Sequence, residues 1–306
     1  MVLCIFMVSC KYIIYVYLDL SIVMNNLYTK VDWIINSYCK SDCSYCPIEL
    51  KGANLPKEIK EYLHIARVLI EHYSSLSRLI NWRIDGGEPL DMNDIVTLLK
   101  FCREQGNSIE LCTNGGKLWI DWWAIEPYVD RLNLTYHYWQ NPNLIKYIID
   151  TFVGKNKPIN INVPIRHDHF DEDLERALAI QRNHKIVVGK HQLYHKARQD
   201  MGSHPYTNDQ ISIMKGVKIV EPIETKPIHW EIQKKVYQQA PSFNGMMCMY
   251  GIEYLHINQD GWVKGGQCNN IYLGNIWHVD WKPPFSAAKC GMTNCLDPFD
   301  QTITKF

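Results

Sequence analysis

Between positions 31 and 193 the chain switches repeatedly between two hydrophobic periods. Short runs in which apolar and polar residues alternate give way to longer runs with apolar positions three to four residues apart. The short runs predict strands at 31–38, 79–85, 108–113, 131–137, 159–165 and 185–193. The longer ones predict helices at 57–75, 92–105, 118–129, 142–153 and 170–183, the last opening with Asp and Glu at the positive end of the helix dipole. This order implies an α/β fold, a parallel sheet with crossover helices, and six strand–helix units at this spacing suggest an open or partial barrel.

The strands carry a second message. A parallel strand covered on both faces reads as an almost continuous apolar run. Here Asn81, Arg83 and Asp85 alternate with Ile80, Trp82 and Ile84, and Glu110 and Cys112 with Ile109 and Leu111. Asn133, Thr135 and His137, and then Asn160, Asn162 and Arg166, repeat the pattern. With a period of two, each polar set projects to one side. The apolar side must meet the helices, so the polar side lines the barrel lumen. It either binds polar ligands or satisfies itself in a closed network.

Composition sets bounds. Of 306 residues, 46% are hydrophobic and 21% charged, an ordinary globular mixture. Lys plus Arg equals Asp plus Glu at 32 each, so no net field draws the protein to nucleic acid or anionic lipid. In the apolar start, 1–23, Lys11 and Asp19 break the run before it reaches the length needed to span a bilayer. It reads as an upstream extension ahead of a start at Met24, or as an accessory element. Positions 24–194 form the barrel, 195–240 a connection or lid with a helix at 228–239, and 241–306 a Cys-, Gly- and Trp-rich second domain. Eleven cysteines, an odd number with several in close groups, suit metal chemistry in a reducing, cytoplasmic compartment better than a disulfide framework.

Cys39, Cys43 and Cys46 follow the first strand in C-x3-C-x2-C spacing. Three thiolates on a short loop can bind three irons of a 4Fe–4S cubane and leave the fourth open to a small ligand. An incomplete zinc site or three unrelated thiols are the alternatives. Asp85-Gly86-Gly87-Glu88-Pro89 ends the second strand and Thr113-Asn114-Gly115-Gly116 the third. Glycines permit close approach of the backbone, and Glu88 can accept bonds from an amino group. All three motifs fall at carboxyl ends of parallel strands, where ligands bind in such sheets.

In this order and spacing the motifs resemble the radical S-adenosylmethionine (radical SAM) superfamily. The resemblance covers roughly 31–193 and implies a partial (β/α)6, TIM-type barrel. It implies a SAM-binding 4Fe–4S cluster on Cys39, Cys43 and Cys46, with Gly86, Gly87 and Glu88 at the methionine part of SAM. It places Tyr45 near the adenine, and Pro89, Asn114 and Thr135 among the cofactor-binding positions. It further implies reductive cleavage of SAM to a 5′-deoxyadenosyl radical that abstracts hydrogen from substrate.

Toward the C-terminus, Asp260-Gly261 between apolar runs predicts a β-hairpin. Asn258 lies midway between Cys248 and Cys268, so the hairpin brings these two together at its open end. Cys290 and Cys295 can complete a four-thiolate site for a second, auxiliary Fe–S cluster or a structural zinc. The segment resembles the twitch domain, the shorter relative of the SPASM domain. Cys112, on the lumen face, is a candidate hydrogen-atom donor. The expected activity is radical chemistry on a polar small molecule or peptide: oxidation, epimerisation or cross-linking. Flavodoxin or ferredoxin is the expected reductant, and no nucleic-acid or membrane partner is expected. Nucleoside or cofactor biosynthesis is the alternative within the family, and a non-catalytic iron–sulfur protein the alternative outside it.

Overall fold

The computed structural model describes residues 28–41, 43, 45–46, 57–116, 122–184, 186, 188–193, 206–216, 242–266, 272–293, 295, 300 and 303–306. The extension at 1–23, the helix expected at 228–239 and Cys268 lie outside them. Six parallel strands run in sequence order: β1 (Tyr28–Ile34), β2 (Leu79–Asp85), β3 (Ser108–Thr113), β4 (Arg131–Thr135), β5 (Ile159–Ile165) and β6 (Val188–Gln192). Between them lie α1 (Ile59–Ser75), α2 (Ile95–Glu104), α3 (Trp122–Ile125), α4 (Pro142–Val153) and α5 (Phe170–His184). The strand order is linear, so among the described residues the sheet is open and does not close into a barrel.

The apolar face is the core. Trp33 and Trp82 are fully buried with ring centroids 5.7 Å apart, and Tyr62 of α1 packs 5.8 Å from Trp33. Tyr62 also donates from its hydroxyl to the Ile35 carbonyl at 2.8 Å, which fixes the chain as it leaves β1. The helix expected at 118–129 is curtailed. α3 gives way at once to a 3-10 turn, Glu126–Tyr128, because Pro127 has no N–H to continue an α-helix.

The C-terminal segment builds only a small two-stranded sheet of its own, Met247–Cys248 paired with Ala288–Lys289. Its hairpin, β8 (Tyr254–Ile257) and β9 (Trp262–Lys264), enters the barrel sheet, with β8 parallel to β1 on the side away from β2. A short β7 (Met247–Cys248) precedes the hairpin, and β10 (Tyr272–Asn275) continues the sheet beyond β9. Gly261 takes φ +82° at the turn, as predicted for Asp-Gly. Docking uses buried hydrogen bonds: Thr29 Oγ1 donates to Ile252 O at 2.6 Å, and Tyr73 Oη to Gly251 O at 2.6 Å. The linker carries one described helix, α6 (Asn208–Gly216), which the sequence pattern did not reveal. Just before α6, Tyr206 donates to Ile165 O and accepts from Leu193 N, pinning the linker to the ends of β5 and β6. Among the described residues no helix is long and apolar enough to cross a membrane.

The polar face forms an in-register row. Lys264, His256, Asp32, Arg83, Glu110 and Arg131 are successive cross-strand partners from β9 to β4. Such partners project to the same side. Arg83 lies 3.4 Å from Asp32, 3.4 Å from Glu110 and 3.2 Å from Asp85. Burial alone would raise the Asp32 carboxyl, but His256 and Arg83 hold it below the usual range. Arg83→Ala leaves three carboxylates facing one another with their shared cation gone. The expected loss is on the order of 2–3 kcal/mol at neutral pH, discounted for partial exposure of the pair. Because Asp32 is depressed, its stabilisation is present above the unfolded carboxyl pKa and fades as pH falls. Denaturant titrations should therefore show a smaller mutational loss at pH 4 than at pH 7.

Candidate functional site

Three loops meet at the carboxyl ends of β1, β2 and β3. The first leaves β1 and carries the cysteines. Cys46 N donates to Cys43 O at 3.1 Å, closing a turn between the second and third thiols. Cys39 Sγ accepts from Ser41 N at 3.4 Å, and Asn114 Nδ2 approaches it to 3.9 Å. Burial pushes the Cys39 thiol up, and the Ser41 hydrogen bonds only partly offset this. Among the described residues no three His, Cys, Asp or Glu side chains lie close enough to share a single metal ion. A cubane asks less, since each thiolate binds a different iron.

The second loop is Gly86-Gly87-Glu88-Pro89. A Cβ on Gly87 would lie 2.5 Å from the Tyr38 carbonyl oxygen, and one on Gly86 2.9 Å from that of Asn36. Both glycines are thus required by close approach to the cysteine loop itself. Gly87 N donates to Asn36 O and Glu88 N to Tyr38 O, each at 2.9 Å. Pro89, buried, opens a 3-10 turn (Pro89–Asp91).

Glu88 joins all three loops. Its carboxylate accepts from Leu90 N at 2.8 Å, Thr113 Oγ1 at 2.6 Å and Asn114 N at 2.7 Å. Burial pushes its carboxyl up to about 7, against the downward pull of those three donors. The sequence-based role, a free acceptor for an amino group, meets a carboxylate already engaged by the protein.

The third loop follows β3. Gly115 (φ +92°) and Gly116 (φ +63°) turn the chain, and Asn114 Oδ1 accepts from Gly116 N at 2.9 Å. Gln140, which sequence reasoning missed, donates to Asn114 O and accepts from His137 N. Beside it, Tyr45 meets His137 Nδ1 at 2.7 Å, and the His137 ring stacks on Trp139 at 5.4 Å. Burial lowers His137 to about 4, so the ring is neutral at physiological pH. The cysteine loop is thereby tied to the end of β4, where Thr135 sits half-buried.

Below these loops the lumen face continues. Cys112 is buried; Arg83 Nε lies 3.3 Å and Asn133 Nδ2 3.5 Å from its sulfur, and burial pushes the thiol up to about 12. Asn160 Nδ2 donates to Asn133 Oδ1 at 2.8 Å. Lys30, Asp32 and His256 belong to the same face and went unrecognised. Taking the strand from 31 cut off the alternation Lys30, Asp32 against Val31, Trp33. His256 arrives on a strand whose pairing the local pattern does not reveal.

In the C-terminal segment, Cys248 and Cys290 are buried in a small cluster with Phe243, Tyr254 and Ile303, and Cys295 packs against it. Ala288 of β11 (Ala288–Lys289) pairs with Cys248, and Cys290 N donates to Met246 O at 2.7 Å. Burial pushes the Cys248 thiol up to about 11. Three of the four expected thiols thus share one cluster.

No protein-family model matches the sequence, and no curated protein matches it. Solved structures do. SuiB from Streptococcus suis, in its structure bound to S-adenosylmethionine, superposes with a TM-score of 0.53 at 13% identity over 84% of this chain. SuiB bound to the precursor peptide SuiA gives 0.51 at 14% identity over 85%. In both matches this chain spans 65% of the length of the SuiB chain. The chain has the fold of these proteins, reached at an identity that speaks for architecture alone.

Proposed function

We propose that this protein is a radical SAM enzyme. One observation carries the reading: the C-x3-C-x2-C loop, the Gly-Gly-Glu-Pro loop and the Thr-Asn-Gly loop converge at strand carboxyl ends, knit together through Glu88. The likeness in fold to SuiB, a protein solved with S-adenosylmethionine bound, supports it. The residues fit the implied groups: three soft thiols share a loop, and beside them the buried polar atoms of Asn36 and Ser37 have no hydrogen-bond partner.

In this reading Cys39, Cys43 and Cys46 are the residues that would hold a 4Fe–4S cluster. The chemistry supplied there is one-electron cleavage of SAM to a 5′-deoxyadenosyl radical, with hydrogen abstraction from substrate. Gly86, Gly87 and Glu88 present backbone to the methionine part, with Pro89, Asn114 and Thr135 around it. Tyr45, held by His137, walls the adenine side. Glu88 acts chiefly as the brace that sets these loops at fixed separations. Cys112 stays a thiol because burial disfavours its thiolate, and it could give a hydrogen atom to a substrate radical, leaving a thiyl radical that one electron from the reductant and one proton would restore.

Cys248, Cys268, Cys290 and Cys295 hold an auxiliary cluster in a twitch-like segment, 241–306, which serves oxidation, epimerisation or cross-linking. A peptide is the favoured substrate, since SuiB is solved with a precursor peptide. A flavodoxin or ferredoxin delivers the electron, in the reducing cytoplasm.

Anaerobically reconstituted protein mixed with SAM and dithionite should release 5′-deoxyadenosine, and the variant with Cys39, Cys43 and Cys46 all changed to Ala should release none. A loaded wild type that yields no 5′-deoxyadenosine under any substrate would sink the assignment. Changing Cys248, Cys290 and Cys295 to Ala should halve the iron while the remaining cluster still responds to SAM in its spin-resonance spectrum. Iron near four atoms per chain in both proteins would remove the auxiliary cluster. Glu88 yields a pH prediction. Its folded pKa is raised to about 7, so its carboxyl favours folding below the unfolded value and that advantage is lost as pH rises through 7. The apo protein should lose about 3 kcal/mol between pH 4.5 and 8 relative to Glu88→Gln. Parallel pH profiles of the two proteins would contradict it.

A further inference from the structure

The polar face of the sheet does not end at β1. Tyr254 and His256 of β8 share the side on which Asp32 lies: Tyr254 Oη donates to Asp32 Oδ2 at 3.1 Å, and His256 Nδ1 stands 3.5 Å from the same oxygen. His256 pairs in register with Lys264 of β9, and Lys264 with Tyr272 of β10, so these two project to that side as well. Trp262, two residues before Lys264, joins them, while Val263 between them is fully buried on the other face. Trp262 and Tyr272 are 45% and 58% exposed, and their rings meet edge to face with centroids 6.1 Å apart. Lys264 Nζ lies 5.0 Å from the Tyr272 centroid. A single exposed aromatic is ordinary on a protein surface; two in contact, continuous with the face that carries the candidate site, are not.

The patch is built on a fixed backbone. Trp262 N donates to Asn258 Oδ1 at 2.8 Å, Ile276 N to Gly261 O at 2.8 Å and Asn275 Nδ2 to Asp260 O at 2.9 Å, which ties β10 to the hairpin turn. A surface ordered beforehand gives up little entropy when a ligand lands on it. Its charge is one-sided. Among the described residues Lys264 forms no ion pair. Asp32, the carboxylate two strands along the row, is already shared by Arg83, His256 and Tyr254. The matching ligand is therefore anionic and carries a large apolar group: the ammonium takes the carboxylate, and the two rings take the apolar part.

Register also gives the distance to the chemistry. Asn258 N donates to Trp262 O at 3.0 Å, and carrying the strand pairings onward sets Ile34, Asp85 and Cys112 in the same row as Trp262. Four strand spacings separate Trp262 on β9 from Cys112 on β3. At about 4.8 Å each they make a path of about 19 Å across the face, the length of about six residues of extended chain. A small molecule held at Trp262 cannot reach that far, whereas a peptide can. We propose that Trp262, Lys264 and Tyr272 anchor an acidic peptide through one carboxylate and one neighbouring large apolar side chain, the rest of the peptide running over the polar face toward the mouth. This rests on the reading of the substrate as a peptide and adds to it the element that recognises the peptide.

The test uses full-length, anaerobically reconstituted protein and a displayed library of random peptides about twelve residues long, twice the span above. Wild type should enrich peptides that set Asp or Glu beside Phe, Tyr, Trp or Leu, and a synthetic copy of the enriched peptide then gives Kd by fluorescence anisotropy. Trp262→Ala and Tyr272→Ala should each weaken binding about tenfold. Lys264→Glu should weaken it at least as much and turn the preference of the library from acidic to basic. All three side chains lie at the surface, so the variants should unfold at the wild-type midpoint. No enriched peptide, an enriched sequence without an acidic residue, or equal binding by the variants would overturn the proposal. So would a wild-type dimer in light scattering that Trp262→Ala makes monomeric, which gives the patch to a second copy of the chain. Peptide binding needs no SAM cleavage: a protein that binds the peptide yet releases no 5′-deoxyadenosine keeps the anchor and brings down the radical SAM reading instead.

Discussion

Everything at the mouth of this barrel depends on one buried carboxylate. Glu88 leaves β2, caps the turn that follows it and receives the hydroxyl of Thr113 and the amide of Asn114 from β3. Its own amide reaches back to Tyr38. The residue therefore ties three segments: its two side-chain oxygens hold its own turn and the loop after β3, and its backbone amide holds the cysteine loop. Burying it is unfavourable in isolation, as its raised pKa records. The donors that converge on it make the position tolerable only in one arrangement of the loops, which turns an unfavourable burial into geometric definition.

The lumen face solves a related problem differently. Charges there are held mostly by each other, with Arg83 at the centre of Asp32, Asp85 and Glu110. The closed-network and ligand-binding readings of the alternating strands need not compete. Lower on the sheet the polar residues satisfy one another; above, at Asn36 and Ser37, they do not.

How far the sequence revealed this depends on the range of the forces involved. Strands at 79–85, 108–113 and 159–165 and the helix at 142–153 fall where periodicity places them, because burial of one face is a local pattern. β1 starts three residues early, at Tyr28, since Lys30 looks like loop until its cross-strand partner is known. The parallel pairing of β8 with β1 joins residues more than two hundred positions apart and leaves no local trace. Motif glycines were visible, but their reason was not: Gly87 is small because Tyr38 is there, a fact of tertiary contact. Asn36 and Ser37 had no signal at all. A missing partner can be seen only after the chain is folded.

The row from Lys264 to Arg131 bears on how such a sheet finds its alignment. Parallel strands are joined through long crossovers, so no tight turn sets their offset. Apolar alternation resists a slip of one residue, which would carry every charge into the helix-facing core, yet it is nearly blind to a slip of two. A two-residue shift of β2 against β1 keeps each side chain on its proper face while parting Arg83 from Asp32 and Glu110. Charge order across the strands thus supplies what hydrophobic period cannot: it distinguishes registers that an oil-and-water pattern treats as equal.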